Sequence, residues 1–145
     1  IFPTKPPMSH SPYLYQRIVA AKLYIDNNFT ENIDLEQISR QAYLSRYHFH
    51  RLFRRIYKKT PHQYVTSKRM ERARTLLTAN DLTISEVSAE LGFESPASFS
   101  NLFRKESGMA PQNYRSTSLR LIQEVKAQPK RFIPHCFINQ YQLEA

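Results

Sequence analysis

An internal repeat constrains this chain more than any other feature of its sequence. Apolar residues and prolines recur in two copies, offset by 49 residues before a central turn and by 50 residues after it. The first copy holds Leu35, Ile38, Ala42, Leu44, Phe49, Leu52, Phe53, Pro61 and Tyr64, and the second holds Ile84, Val87, Leu91, Phe93, Phe99, Leu102, Phe103, Pro111 and Tyr114. Matching positions over roughly 30 residues indicate that one supersecondary unit is used twice.

Helix-start signals divide both copies in the same way. Each copy carries a capping box that opens a short helix, then a turn, then a serine N-cap that opens a longer helix. These signals are Asp34–Gln37, Tyr43-Leu44 and Ser45 in the first copy, and Thr83–Glu86, Gly92-Phe93 and Ser95 in the second. A short helix, a tight turn and a longer helix are the pattern of a helix-turn-helix.

The flanking segments complete an all-α architecture of about seven helices. Apolar positions at helical spacing predict a first helix that opens at Ser11-Pro12 and ends near Asn27-Asn28. We expect an irregular N-terminal arm over residues 1–10, a first helix-turn-helix subdomain over 11–60, a linker helix over 61–79, a second subdomain over 80–117 and a C-terminal extension over 118–145. Within the extension, an amphipathic piece is expected to precede a β-prone stretch at 132–138.

Composition excludes several other classes of protein. Two glycines in 145 residues leave no room for a glycine-rich phosphate loop and disfavour an all-β sandwich or barrel. Lys and Arg total 21 against 12 acids, and the net charge of +9 favours nucleic acid as a partner, ahead of an anionic membrane surface. The single cysteine and the lack of a membrane span or signal segment favour a reducing cytoplasm, and Cys136 is expected to be buried or unreactive.

The second helix of the first copy carries the candidate DNA-binding face. On a helical wheel with Phe49 at zero, the apolar face includes Leu52, Phe53 and Ile56, and the opposite face lies at roughly 140–200°. The candidate residues there and beside it are Arg46, Tyr47, His50, Arg51, Arg54, Arg55 and Lys58. Arginine can bind guanine bidentately, and tyrosine and histidine can contact base edges or phosphates. The alternative is a solvated basic face, the usual meaning of a charge run.

The equivalent helix of the second copy has a smaller and less charged face. Its candidate residues are Pro96, Ala97, Ser100, Asn101 and Arg104. Asn101 could pair with adenine and Ala97 could pack on a thymine methyl, whereas four nearby glutamates would repel phosphates. We expect this half to bind DNA more weakly, and the alternative is that it serves mainly as a packing partner.

Spacing allows both helices to read one DNA molecule. A linker helix of 19 residues would be about 28 Å long, slightly less than the roughly 34 Å of one duplex turn. We therefore expect two adjacent major-groove segments to be read, either with bending of the DNA or with one helix engaged only partly.

No other pattern in the sequence points to a metal, a cofactor or catalysis. His48 and His50 diverge by about 200° on a helix and cannot share one ion. No nucleophile, base and acid stand at a catalytic spacing, so we expect no enzyme activity. Arg69 is expected to form a structural ion pair with Glu71, Glu36 or Glu106. An RNA-binding module and a small hydrolase or repair domain remain the alternative functions.

The residues of the second copy resemble the DNA-binding domain of the AraC/XylS family of bacterial transcription regulators. The resemblance is carried by Gly92-Phe93-Glu94-Ser95, by Phe99 to Lys105 and by Gly108-Met109-Ala110-Pro111 with Tyr114-Arg115, and it extends over about residues 11–117. It implies two helix-turn-helix units with base contacts at Tyr47, His50 and Arg51 and at Pro96, Ala97, Ser100 and Asn101, although Pro96 cannot donate a hydrogen bond.

The resemblance also implies the partners of the chain, and Lys58 is one position where the first copy differs from the second. The expected partners are double-stranded promoter or operator DNA and, for an activator, RNA polymerase, in the bacterial cytoplasm at the nucleoid and without a membrane. The chain is then either a small stand-alone regulator or the DNA-binding half of a larger one, and no effector is indicated. Lys58 stands where the second copy has Gly108, so the first helix end must adopt a left-handed conformation at some cost or close differently.

Overall fold

The chain folds into seven α-helices over the part of the sequence that the structure describes, which is residues 12–79, 81–134 and 136 of a computed structural model. The helices are α1 (Pro12–Asn28), α2 (Leu35–Gln41), α3 (Arg46–Tyr57), α4 (Pro61–Ala79), α5 (Ile84–Glu90), α6 (Pro96–Ser107) and α7 (Pro111–Ala127), followed by a 3-10 helix at Pro129–Phe132. These residues contain no strand, which confirms the all-α prediction. The predicted arm and the Ser11 cap lie outside the described residues.

Contacts divide the chain into two compact units. One comprises residues 1–73 and 90–92, and the other comprises residues 74–89 and 93–145. The division falls inside α4, which therefore contributes to both units. The subdomain limits expected from the sequence stay a prediction.

The first unit buries one face of α1 and α3 around a cluster of phenylalanines. Ile18, Ala21 and Ile25 of α1 lie in the same core as Phe49 and Phe53 of α3, and all are at most 1% exposed. Phe53 also meets Tyr64 of α4 edge to face, with ring centroids 5.5 Å apart. This core gives α3 a definite orientation, because its apolar face is held from two sides.

The second unit repeats this arrangement with its own aromatic cluster. Phe99 and Phe103 of α6 are fully buried, and Phe103 meets Tyr114 of α7 edge to face at 5.3 Å. Arg115 of α7 donates from Nε to the Leu77 carbonyl oxygen at 3.2 Å. The repeat found in the sequence is therefore a repeat of packing.

The predicted helix starts are confirmed by their hydrogen bonds. The Gln37 N–H donates to Asp34 Oδ1 at 2.7 Å, and the Asp34 N–H donates to Gln37 Oε1 at 2.8 Å, which completes a capping box. The Thr83 N–H donates to Glu86 Oε2 at 2.7 Å in the matching position of the second copy. Such caps satisfy N–H groups that a helix leaves unpaired at its start.

Arginines hold the first unit together through carbonyl oxygens. Arg17 of α1 donates to the carbonyl oxygens of Ala42 and Tyr43, in the turn between α2 and α3. Arg69 of α4 donates from Nε to the Phe29 carbonyl at 2.6 Å and from Nη2 to the Glu31 carbonyl at 2.9 Å. Burial lowers the pKa of the Arg69 guanidinium. Arg69 is thus structural, as expected, but these hydrogen bonds go to backbone oxygens and not to the glutamates proposed from the sequence.

The C-terminal extension differs in part from what the sequence predicts. Phe132 ends a 3-10 helix, and Ile133 and Pro134 do not form a strand, so the described part of the β-prone stretch is not β structure. The rest of that stretch, except Cys136, lies outside the described residues. Cys136 is exposed, so the first of its two expected states, burial, is wrong, and its lack of reactivity stays a prediction. In addition, α7 runs without a break across the predicted limit at 117–118.

Candidate nucleic-acid interface

Helix α3 separates an apolar face from a basic aromatic face. Phe49, Leu52 and Phe53 are at most 6% exposed, whereas the Tyr47 side chain is 74% exposed and Arg51 is exposed beside it. The wheel placed Ile56 on the buried face, and this is wrong, because Ile56 is 37% exposed. Ile56 lies in the last turn of α3, where it lines a shallow groove beside Leu14 of α1.

Most of the candidate residues of the first unit are exposed on or beside this face. Arg46, Tyr47, Arg51, Arg54, Arg55 and Lys58 are all exposed, and His50 is half-buried. His50 is less accessible because it lines a groove of about 390 Å³ together with Ile38 and Val65. Helix α3 and its C-cap therefore carry all the candidate residues of the first unit.

Two basic side chains of α3, Arg51 and Arg46, contact neighbouring side chains. The Arg51 guanidinium lies over the Tyr47 ring, with its Cζ 5.6 Å from the ring centroid. Arg46 Nε lies 3.4 Å from Glu36 Oε2, and Arg40 Nη2 lies 3.2 Å from Glu36 Oε1. Glu36 thus holds Arg46 from the side of α2. The contact between Glu36 and Arg46 was not predicted from the sequence, whereas the four-residue spacing of Glu36 and Arg40 is typical of an ion pair on one helix.

Helix α3 ends at Lys58, which adopts the left-handed conformation although it is not a glycine. Lys58 has φ 59° at the C-cap, and its Nζ donates to the Arg55 carbonyl at 3.0 Å. The matching cap of α6 is Gly108 with φ 82°, and its N–H donates to the Arg104 carbonyl at 2.9 Å. The two copies therefore close in the same way, once with glycine and once with lysine.

Helix α6 presents a smaller polar face. Ser95 caps it by accepting from the Ser98 N–H at 3.1 Å, and Pro96 occupies the first turn. Pro96, Ala97, Asn101 and Arg104 are exposed, and Ser100 is half-buried. Only Arg104 among these carries a charge, so the exposed face of α6 is less basic than that of α3.

The described residues contain no metal-ligating cluster and no membrane-spanning helix. None of their Cys, His, Asp and Glu side chains form a group of three that could hold a metal ion. None of the helices in the described ranges is long and apolar enough to cross a membrane.

The chain is similar to known helix-turn-helix proteins. A helix-turn-helix domain family matches residues 38–117, which is over half of the chain. The chain is 36% identical over 92 residues to the probable transcriptional regulator LumQ of Photobacterium leiognathi, a match that covers 63% of this chain and 37% of LumQ. The chain spans about a third of the length of the curated relatives that it matches.

Two solved structures extend this likeness to the fold. The DNA-binding domain of the global transcriptional factor AdpA, solved with a target DNA, is 27% identical with a TM-score of 0.67, over 78% of this chain and 96% of that one. A transcriptional regulator with an AraC-type DNA-binding domain from Chromobacterium violaceum is 25% identical with a TM-score of 0.65, over 70% of this chain and 91% of that one. The two repeated helix-turn-helix units, each with an exposed second helix, agree with these comparisons. The chain therefore belongs to the AraC/XylS-type helix-turn-helix family of DNA-binding transcription regulators.

Proposed function

We propose that this chain regulates transcription by reading two adjacent major-groove segments of double-stranded DNA, one with α3 and one with α6. The observation that carries the proposal is the outward face of α3, where Tyr47, Arg51 and Arg54 stand opposite a buried phenylalanine core. A helix of this kind fits the major groove, and its core side keeps it rigid.

Each side chain of α3 has a role set by its chemistry. Arg51 and Arg54 bind guanine O6 and N7 with the guanidinium fork, and Tyr47 and His50 contact neighbouring base edges or thymine methyls. Arg46, Arg55 and Lys58 lie towards the two ends or the flanks of this face and bind phosphates. The phosphate contacts set position and affinity, and the base contacts set sequence preference.

Helix α6 reads its segment with polar and small side chains. Asn101 pairs with adenine, Ala97 packs on a thymine methyl, and Arg104 binds a base or a phosphate. Pro96 and Ser100 shape the approach of the first turns to the groove. With one charge on this face, α6 contributes less affinity than α3.

The remaining assignments follow from this function. The chain acts without catalysis or cofactor, in the bacterial cytoplasm where the chromosome lies, and an activator of this type would also contact RNA polymerase. The subdomain division at 11–60, 61–79 and 80–117 gives each unit one reading helix.

Selection of bound sequences from a random pool tests the proposal. The chain is incubated with random duplex DNA, and in parallel with random RNA, at a stated salt concentration, because affinity depends steeply on salt. We expect a duplex sequence to be enriched in two blocks and RNA not to be enriched. The control variant is Arg120→Ala on α7, which is neither of the two reading helices, and it should select the same sequence. Equal enrichment of RNA, or no preferred duplex sequence, would refute the proposal.

A further inference from the structure

The turn between α2 and α3 contains an exposed tyrosine in a backbone conformation that favours glycine. Tyr43 has φ 51°, and its side chain is 81% exposed. The matching position of the second copy is Gly92, with φ 73°. In both turns the next residue, Leu44 or Phe93, donates its N–H to a serine carbonyl five residues earlier, at 3.3 and 3.1 Å. The first copy therefore makes with tyrosine the turn that the second makes with glycine, although a Cβ disfavours this conformation.

Arg17 of α1 contacts both the backbone and the ring of Tyr43. Its Nε donates to the Ala42 carbonyl at 2.6 Å, and its Nη2 donates to the Tyr43 carbonyl. Its Cζ lies 5.6 Å from the centroid of the Tyr43 ring and 5.8 Å from that of Tyr13, which precedes it by one helical turn of α1. Carbonyl oxygens at the end of a helix lack the partners that a continuing helix would supply, and Arg17 satisfies two of them after α2. One arginine thus holds this turn from a neighbouring helix.

The conformation of Tyr43 bears on the candidate DNA-binding face, because α3 begins at Arg46, three residues later. The φ angle of Tyr43 determines the direction in which the chain leaves the turn, and so the position of the first turn of α3, which carries Arg46 and Tyr47. We propose that Arg17 is a positioning residue for DNA binding, which holds Tyr43 in the left-handed conformation and thereby fixes the first turn of α3 without touching DNA. This inference rests on the proposed function of α3.

The affinity for the duplex enriched from the random pool, measured by fluorescence anisotropy, tests this role. Arg17→Ala should lose about three- to tenfold, because the first turn of α3 must then be ordered when DNA binds. Arg17→Lys keeps the charge but lacks the planar fork that spans two carbonyls, so it should lose nearly as much. The control Arg120→Ala removes the same charge from α7 and should stay within about twofold of the wild type. Wild-type affinity in Arg17→Ala would refute the proposal, and wild-type affinity in Arg17→Lys alone would make Arg17 a phosphate contact and refute it too.

A rescue experiment separates positioning from a general contribution of Arg17 to stability. Tyr43→Gly gives the first turn the residue type that the second turn has at Gly92. Glycine adopts the left-handed conformation without strain, so the turn depends less on Arg17. Arg17→Ala should therefore cost at most about twofold in affinity in the Tyr43→Gly background, against about three- to tenfold in the wild type. Equal losses in the two backgrounds would overturn the proposal.

Amide hydrogen exchange of the protein without DNA tests the hold of Arg17 on the turn by itself. Arg17→Ala should speed exchange of the Leu44 N–H several-fold and leave that of the Phe93 N–H, the internal control in the second copy, unchanged. Arg17→Lys, which keeps the aliphatic stem, serves for the same measurement if the alanine variant does not fold.

The two measurements distinguish failure of this inference from failure of the proposed function. Unchanged exchange at Leu44 and unchanged affinity in the Arg17 variants, with a wild type that binds duplex DNA, would refute this inference alone. A wild type that selects no duplex DNA would refute the proposed function and, with it, the role of Arg17 in DNA binding.

Discussion

The Arg51 guanidinium lies 5.6 Å from the centroid of the Tyr47 ring on the exposed face of α3. This cation–π contact restricts the guanidinium, so under the proposed function less side-chain entropy would be lost when Arg51 binds a base. Tyr47→Phe keeps the ring and should retain affinity within about twofold, whereas Tyr47→Ala should lose about two- to fivefold from this contact alone. Fluorescence anisotropy with the selected duplex measures both.

A double-mutant cycle separates this positioning role from direct contact by Tyr47. If the ring acts through Arg51, Tyr47→Ala costs less in an Arg51→Ala background than in the wild type. Equal costs in the two backgrounds would mean that the two side chains act independently.

Glu36 should weaken DNA binding through its hold on Arg46. The carboxylate lies 3.4 Å from Arg46 and 3.2 Å from Arg40, and it is the last acid before a run of 34 residues that contains none. Glu36→Gln frees Arg46 for phosphate and removes a repulsive charge. We expect affinity to rise by up to about fivefold at low salt, with the gain fading as salt increases. Glu124→Gln, which removes the partner of Arg120 on α7, is the control and should change nothing. A decrease in affinity for Glu36→Gln would contradict this role.

The two glycines of the chain should differ in their tolerance of alanine. Both have positive φ, 73° at Gly92 and 82° at Gly108. An added Cβ at Gly92 would lie 1.8 Å from the Thr30 carbonyl oxygen, whereas one at Gly108 would meet nothing within 4 Å. Gly108→Ala should therefore cost about 1 kcal/mol of unfolding free energy, for the left-handed conformation alone, and Gly92→Ala should cost at least about 2 kcal/mol more. Urea unfolding of both variants checks this, and similar losses would show that the Thr30 contact relaxes.

The carboxylate of Asp26 should make stability depend on acidic pH. Asp26 lies 2.6 Å from Lys22 Nζ and accepts from the Tyr64 hydroxyl at 2.9 Å, which ties α1 to α4. Burial by itself would raise the pKa of Asp26, but these hydrogen bonds and the charges of Lys22 and Lys68 hold it below its ordinary value of 3.8. A carboxyl with a lowered folded pKa stabilises fully above its unfolded pKa, and this stabilisation is lost as pH falls through the folded pKa.

Urea unfolding as a function of pH tests the Asp26 contribution. The wild type should lose stability as pH falls below 3.8, and Asp26→Asn should remove part of that dependence while lowering stability at neutral pH. Parallel pH curves for the two proteins would show that Asp26 has the same pKa in the folded and unfolded states.

Structural features that depend on residues close together in the sequence, such as helix caps, were predictable from the sequence. The capping boxes at Asp34 and Thr83, and the serine caps at Ser45 and Ser95, depend on side chains three residues from the groups they bind, so the sequence pattern locates them. The exposed face of α3 followed from helical periodicity in the same way.

Structural features that depend on contacts between residues far apart in the sequence were not predictable. Ile56 has the periodicity of a core residue, but its exposure depends on what lies beside the last turn of α3. Arg69 found carbonyl oxygens 38 and 40 residues away, which no local spacing indicates. Phe132 and Ile133 have high β propensity, yet a strand needs a partner ladder, and the described residues offer none.

Sequence selection with two matched variants tests the central claim most directly. The random-pool selection is repeated with Arg51→Ala in α3 and Asn101→Ala in α6. If each helix reads its own groove segment, Arg51→Ala should lose base preference at one position of one block, at a cost of about 1–3 kcal/mol for the wild-type sequence, and Asn101→Ala should change only the other block. Loss of affinity that is equal for all sequences in both variants, or an unchanged pattern in both, would contradict the claim that these two faces read DNA.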